Sequence, residues 1–385
     1  MAQFLALMGA NLVFPFIPFF IKDLGVESDS GAALWSGVAG TATGAMLFIS
    51  SPFWGSLADR FGRKKLLLRA YVGATITISL QALVQNVWQL IALRALQGAF
   101  VGTIPAATAL VAAGTPQKRI AYALGLIQMG VFTSQTVGPV VGGLMAQAFG
   151  FRLTFAVGGL IYLVSFFLCL FFVHEDFERP APGERTTFVA NVRTVMGVPT
   201  MAVLIAVIFL LGSASVFVRP VIPLVVAGFT DSGIETKTGL VFAAVALTSA
   251  VAAVAAGRIA ERTGFRRALI VATLFAGLAY IPVAVADDLL PLMALMAIVG
   301  VFSGAMIPLV NALVGASAPE GKQGSAFGLV GSAQALSFAV APLLGGLTAR
   351  QLGIHAGFPI IGSMLVAVSV LIFFTIREPA RVDAP

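Results

Sequence analysis

The sequence predicts an all-α membrane protein of twelve transmembrane helices in two pseudo-symmetric six-helix bundles. Three observations carry that prediction. The 385 residues are 59% hydrophobic and only 10% charged, with a mean hydropathy of +1.00. So few charges cannot cover the surface of a soluble protein of this size, and lipid is the expected solvent for most of the chain. At roughly 20 residues per crossing, the length holds about twelve spans joined by short loops. Finally, the charged block from Gly55 to Lys65, which carries Asp59, Arg60, Gly62, Arg63 and Lys64, recurs from Gly257 to Arg267 with Glu261, Arg262, Gly264 and Arg266. A glycine, an acid, an arginine, a second glycine and basic residues at one spacing mark two related halves.

The first span is expected at about 3–21 and holds Asn11, Pro15 and Pro18. Proline frees backbone carbonyls within a membrane helix, which is tolerable where neighbours or a cavity satisfy them, so this helix is expected to line a cavity. Spans two to six follow at about 36–56, 66–86, 89–113, 120–147 and 153–173. The chain then turns polar over 174–199, with Glu175, Asp176, Glu178, Arg179, Pro180 and Pro182 among its residues, a linker composition. Six more spans are expected at about 200–227, 238–259, 267–286, 289–314, 323–349 and 355–376. The seventh repeats the proline pair as Pro220 and Pro223. The expected domains are thus a bundle over 1–173, a cytoplasmic linker over 174–199 and a second bundle over 200–385.

Of the 23 Lys and Arg, 17 fall on the side of the two charged blocks, 4 on the opposite side and 2 within spans. The positive-inside rule therefore places both blocks, the linker and both termini in the cytoplasm. The same bias accounts for the net charge of +7, so no nucleic-acid partner is expected. Cys169 is the single cysteine, which leaves no internal disulfide and no expected metal site. No charged leader or cleavage signature opens the chain, and no signal peptide is expected.

The run Gly55-x-Leu57-x-Asp59-Arg60-x-Gly62-Arg63-Lys64 resembles the loop between helices two and three of the major facilitator superfamily and fills every position of that motif. Arg94, Gln97 and Gly98 resemble the R-x-x-Q-G motif of span four in its drug–proton antiporters, where the arginine is assigned to proton transfer. Gly138, Pro139, Gly142 and Gly143 resemble its G-P-x-x-G-G antiporter motif, which returns in span eleven as Pro342, Gly345 and Gly346, with Ala341 for the first glycine. Leu34-Trp35-Ser36-Gly37 and Ser51-Pro52-Phe53-Trp54 look like the bacterial multidrug-efflux members. The resemblance covers essentially the whole chain. It implies a monomeric, proton-coupled secondary transporter of a bacterial cytoplasmic membrane, without a cofactor. Tetracycline exporters of the family carry an acid nine residues before the first proline of span one; here that position is Ala6.

Asp59 and Glu261 stand at the cytoplasmic ends of spans two and eight, on the side where spans five and eleven begin. Free N–H groups and the helix dipole attract a carboxylate there. Asp59 is expected to dock near Gly324 and Ser325, and Glu261 on the start of span five, as gate latches. Gly138, Gly142 and Gly143 let another helix approach, and Pro139 adds a bend. Arg94 and Arg219 are the only basic residues placed within spans, where a charge is costly unless it faces protein or water. Arg219 lies near the outer end of its span and can snorkel. Asn11, Gln97, Gln128, Arg219, Asn311 and Gln334 are candidate lining residues of a substrate cavity. All 16 Asp and Glu sit at interfaces or in loops, so Asp23, at the outer end of span one, and Asp59 are the nearest proton carriers.

The expected function is proton-driven export of small lipophilic or amphipathic drugs by alternating access. The alternative is uptake or facilitated passage of a metabolite, an organic anion or a sugar; Arg94 and Arg219 favour an anion. The chain has no H-E-x-x-H, G-x-S-x-G or G-K-[ST] motif, and no enzymatic activity is expected.

Overall fold

The computed structural model describes residues 1–116, 119–175, 194–230, 232–319, 322–376 and 378. Those residues form helices joined by short turns, with no strand among them. Span one is broken: α1 (Ala2–Asn11) and α2 (Ile17–Asp23) meet through a 3-10 turn at Phe14–Phe16. Pro15 lacks the N–H that would continue the ladder, and its ring crowds the preceding turn. Next, α3 (Asp29–Phe61) starts at Ser28, whose hydroxyl accepts from the Gly31 N–H at 3.2 Å, a side-chain cap. It runs through Gly62 into α4 (Arg63–Gln81) with no further loop.

Span four is interrupted at Gly102, whose φ of 138 separates α5 (Val87–Phe100) from α6 (Thr103–Gly114). The long α7 (Ile120–Phe172) covers two expected spans, parted at Gly150 with φ 79. Pro220 and Pro223 accompany a further interruption, between α8 (Pro199–Phe217) and α9 (Ile222–Ala227). The remaining helices are α10 (Ile234–Thr263), α11 (Phe265–Val283), α12 (Leu289–Ser317), α13 (Gln323–Leu352) and α14 (Gly357–Thr375). Among the described residues, nine stretches are long and apolar enough to cross a membrane. The helix α4 is outside that number, since Arg63, Lys64, Lys65 and Arg69 lower its hydropathy, and α5 and α6 are each short. The expected linker lies outside the described residues over 176–193.

Two compact units divide the chain. The first takes 1–182, 219–243 and 338–354; the second takes 183–218, 244–337 and 355–385. In the first unit α1 lies along α7, where a Cβ on Gly9 would sit 2.7 Å from the Gly158 carbonyl oxygen. Phe20 and Phe155 pack beside this seam with ring centroids 4.8 Å apart. The last part of α13 lies on α3: a side chain at Gly37 or Gly44 would overlap the Pro342 or Phe338 carbonyl. There the Leu343 N–H donates to Thr41 Oγ1 at 3.2 Å. In the second unit α11 meets α14 at Gly277 and Gly362, whose backbones leave no room for a side chain. Leu204, Ile208, Val299, Leu309 and Phe358 form its buried core.

Details beyond the charged block repeat between the units. Thr43 Oγ1 donates to the Arg94 carbonyl at 3.0 Å, and Ser249 Oγ to the Gly300 carbonyl at 3.0 Å. Asn86 caps α5 by accepting from the Gln89 N–H, and Asp288 stands at the same place before α12. Large apolar side chains such as Phe149, Phe171, Val251, Val254 and Phe374 are exposed, the surface of a multi-pass protein facing hydrocarbon.

Candidate functional site

The two charged blocks adopt one geometry. Gly62 has φ 94 and ψ 153, and Gly264 has φ 96 and ψ 141, a region open essentially to glycine alone. Each glycine ends one helix and starts the next in a single residue, which leaves the first N–H groups of the new helix without intrahelical partners. A carboxylate takes them in both units. Glu175 accepts from the Arg63 and Lys64 N–H groups at 2.8 Å each, and Glu378 from those of Phe265 and Arg266 at 2.7 and 2.9 Å. Lys64 Nζ reaches back to the Leu170 carbonyl at 3.0 Å, and the Arg266 guanidinium to that of Phe373. The motif loop is thus tied to the end of α7 in one unit and to the chain just after α14 in the other.

Sequence reasoning places Glu175 in the linker and misses both carboxylates. Their equivalent places after the last span of each half are the available signal. Phe265 stands where Arg63 does in the first copy, so what the shared geometry uses at that position is the backbone N–H. The Asp59 side chain lies outside the described residues; Arg60, Glu261 and Arg262 are exposed. Among the described residues, a Cβ at Gly55, Gly257 or Gly324 would meet nothing within 4 Å, so none of them requires glycine there in this conformation.

The second cluster surrounds the break in span one. Arg94, 5% exposed, donates from Nη1 to Gln97 Oε1 at 3.0 Å, and Gln81 Nε2 donates to the same oxygen at 3.2 Å. Its Nε is buried without a partner among the described residues. The Arg94 Cζ stands 5.6 Å from the Phe14 ring centroid, and the Arg219 Cζ stands 5.4 Å from the same centroid and 5.9 Å from that of Phe338. The turn that carries Phe14 therefore lies beside both of the arginines expected within spans, a convergence that no spacing in the sequence announces. Asn11, on the same segment, approaches Ser134 Oγ at 3.5 Å. The counterpart of Arg94 by its backbone contact is Gly300, so the packing is duplicated and the charge is not.

Glycines of the span-five motif serve close approach. Side chains at Gly138 and Gly142 would collide with Asn11 and Leu12, one at Gly143 with Glu235, and one at Gly239 with the Pro139 carbonyl. Of the other expected residues, Gln128 is exposed on α7, while Asn311 and Gln334 are half-buried in the second unit. Asn311 Oδ1 is buried without a partner among the described residues. Asp23 is exposed at the end of α2, within electrostatic reach of Arg152 and Glu235. No group of three or more His, Cys, Asp or Glu able to hold a metal occurs among the described residues.

The sequence profile of the Major Facilitator Superfamily matches residues 1–236 and 204–385. A Lactococcus lactis protein described as a multi-drug resistance efflux pump PmrA homolog is 31% identical over 375 residues, 96% of this chain and 92% of its own. Multidrug resistance protein MdtG of Escherichia coli is 31% identical over 366 residues, 94% of this chain and 88% of its own. Among solved structures, the nucleoside transporter NupG aligns with a TM-score of 0.83 at 12% identity, covering 98% of this chain and 99% of that one. The human organic anion transporter MFSD10 aligns with 0.72 at 18% identity, covering 96% and 97%.

Proposed function

The chain belongs to the Major Facilitator Superfamily and is a membrane transporter of small molecules, and on that premise we propose that it exports small lipophilic or amphipathic compounds in exchange for protons. It works as a monomer in a bacterial cytoplasmic membrane, with both termini and both motif loops in the cytoplasm. The bodies that move are the halves 1–173 and 200–385, joined by the linker 174–199.

One observation carries this reading to the residue level: Arg94 is buried beside Gln97 and Phe14, with no carboxylate paired to it among the described residues. A guanidinium does not give up its proton in a protein. Its part in coupling is electrostatic, and the titrating group is a carboxylate, Asp23 or Asp59. Asp59 and Glu261 serve as latches on the starts of spans eleven and five. This explains why glycine occupies positions 55 and 257: the room is needed in the latched conformation. A largely apolar cavity with few directional groups suits varied substrates, and both efflux relatives carry multidrug names.

The convergence of Arg94 and Arg219 on Phe14 favours a second reading, movement of an organic anion. Efflux of a fluorescent cation and of a fluorescent anion from cells expressing the protein, with and without a protonophore, separates the two. Export of the cation that stops when the proton gradient collapses supports proton-driven drug export, and export of the anion without the cation assigns the second reading. Export that continues without the gradient, for both dyes, overturns it in favour of a facilitator.

A further inference from the structure

A groove of about 270 Å³ lies between α4 and the end of α5, floored by Gly73 and Phe100 and edged by Val72, Ile76 and Leu96. Those three edges are 38%, 51% and 44% exposed, so the groove opens sideways onto the lipid. Arg69 closes the end nearest the motif loop. Its Cζ lies 3.4 Å from the Trp54 ring centroid, and the Trp54 indole N–H is itself fixed on the Ala99 carbonyl at 2.7 Å. Stacking leaves the guanidinium edge unsatisfied. Nη1 is buried, and among the described residues it has no hydrogen-bond partner while Nε reaches only the Leu66 carbonyl at 3.5 Å, so a phosphate takes this donor as the side chain turns from the ring toward the mouth of the groove.

A cation against apolar walls with an unused donor calls for an anion. Lys65, four residues earlier and exposed, lies on the same helix face, one turn closer to the level of the headgroups. We propose that this groove binds one anionic phospholipid, with its phosphate on Arg69 and one acyl chain along Val72, Ile76 and Leu96. The shape fits a lipid better than a cargo molecule. The volume is under the roughly 300–1,000 Å³ of pockets that enclose small ligands, one side is open along its length, and the charge sits at one end. A basic pocket between helices at the membrane interface is how lipid headgroups are held.

Native mass spectrometry of the delipidated, detergent-purified full chain tests this. Dioleoylphosphatidylglycerol and dioleoylphosphatidylcholine, identical in their chains, are titrated separately. The expected result is one phosphatidylglycerol retained roughly tenfold more tightly than phosphatidylcholine. Arg69→Gln should erase that preference, Arg69→Lys should keep part of it, and Ile76→Trp, which fills the groove, should weaken both lipids. Equal retention by the wild-type chain, a preference that survives Arg69→Gln, or unchanged lipid affinity in Ile76→Trp would each overturn the proposal. So would displacement of the lipid by millimolar inorganic phosphate, which would assign Arg69 to a free anion. Should Arg69→Gln fail to fold, Ile76→Trp decides.

Discussion

Among single residues, Arg94 owes its orientation to Gln97, whose side-chain oxygen it shares with Gln81. Arg94→Ala should leave the protein folded and lower the initial rate of dye export by roughly tenfold or more. Arg94→Lys should recover little of it, since a point charge cannot reproduce the planar fork held by Gln97. Rates in membrane vesicles, normalised to the amount of protein, check both. Glu175→Gln turns one accepting oxygen into an amide that points its own N–H groups at an N–H donor. One of the two cap bonds is lost together with the charge, at a cost of about 1–2 kcal/mol. A lower unfolding midpoint in detergent is expected, with export reduced through the motif loop; an unchanged midpoint would show that the cap contributes nothing. The two residues also differ in how legible they are. An arginine in an apolar stretch announces itself, because its cost in lipid demands an explanation. Glu175 does not, because an acid in a polar segment looks like solvated charge until the helix that it caps is seen.

Among the helices, existence is readable along nearly the whole chain, because sustained apolar composition over a span's length has few other outcomes. Helix ends fall where a glycine or proline acts: Pro15 breaks span one, Gly62 turns α3 into α4, and Gly150 parts α7; the expected spans leave a gap at Gly150 but run unbroken through Pro15 and stop short of Gly62. The partners of the glycine-rich faces are not readable, since a small residue says that something approaches without saying what. Span five meets the end of α1 through Gly138 and the following Leu12 through Gly142, and its Gly143 and Pro139 meet the start of α10 at Glu235 and Gly239. Gly239→Val would force α10 off the Pro139 carbonyl and loosen this seam. The protein should still insert, export should fall sharply, and maleimide labelling should accelerate at Gln147→Cys, where the native side-chain oxygen accepts from the Thr236 hydroxyl across the seam at 2.6 Å. Cys169 is buried and contributes little background to that measurement. Labelling as slow as in the parent would mean that the close approach is dispensable. Replacing Gly62 by Ala tests backbone conformation instead, since its φ is 94; the unfolding midpoint should fall by the equivalent of about 1–3 kcal/mol.

For the molecule as a whole, the repeat is readable because it carries charge, which stands out against an apolar background. The membership of the two compact units is not: that 219–243 and 338–354 group with the first unit depends on which helix ends pack together, and composition is uniform along those helices. Duplicated backbone contacts with unduplicated charge, Arg94 against Gly300, point to halves that share a scaffold and divide the labour. Asp59 and Glu261 put this to the test, because as the proposed latches they hold equivalent places in the two charged blocks and need not be equivalent in proton coupling. If both hold the conformation shut on the cytoplasmic side, removing either raises the population open to the cytoplasm. Removing both should multiply the two effects on the equilibrium, as independent terms add in free energy. Labelling of Gln128→Cys, exposed on α7 toward the motif end, reads that population. Protonation does to a carboxylate latch what an amide substitution does permanently, so acid should accelerate labelling in the parent protein relative to a constantly exposed reference cysteine, whose own thiolate is depleted by acid. If Asp59 is the residue that titrates, Asp59→Asn should show only the pH dependence of the reference cysteine, while Glu261→Gln keeps the acceleration by acid. Equal loss of the pH response in both variants would place the proton on the pair of latches together, and retention in both would move it to the outer end of span one, to Asp23.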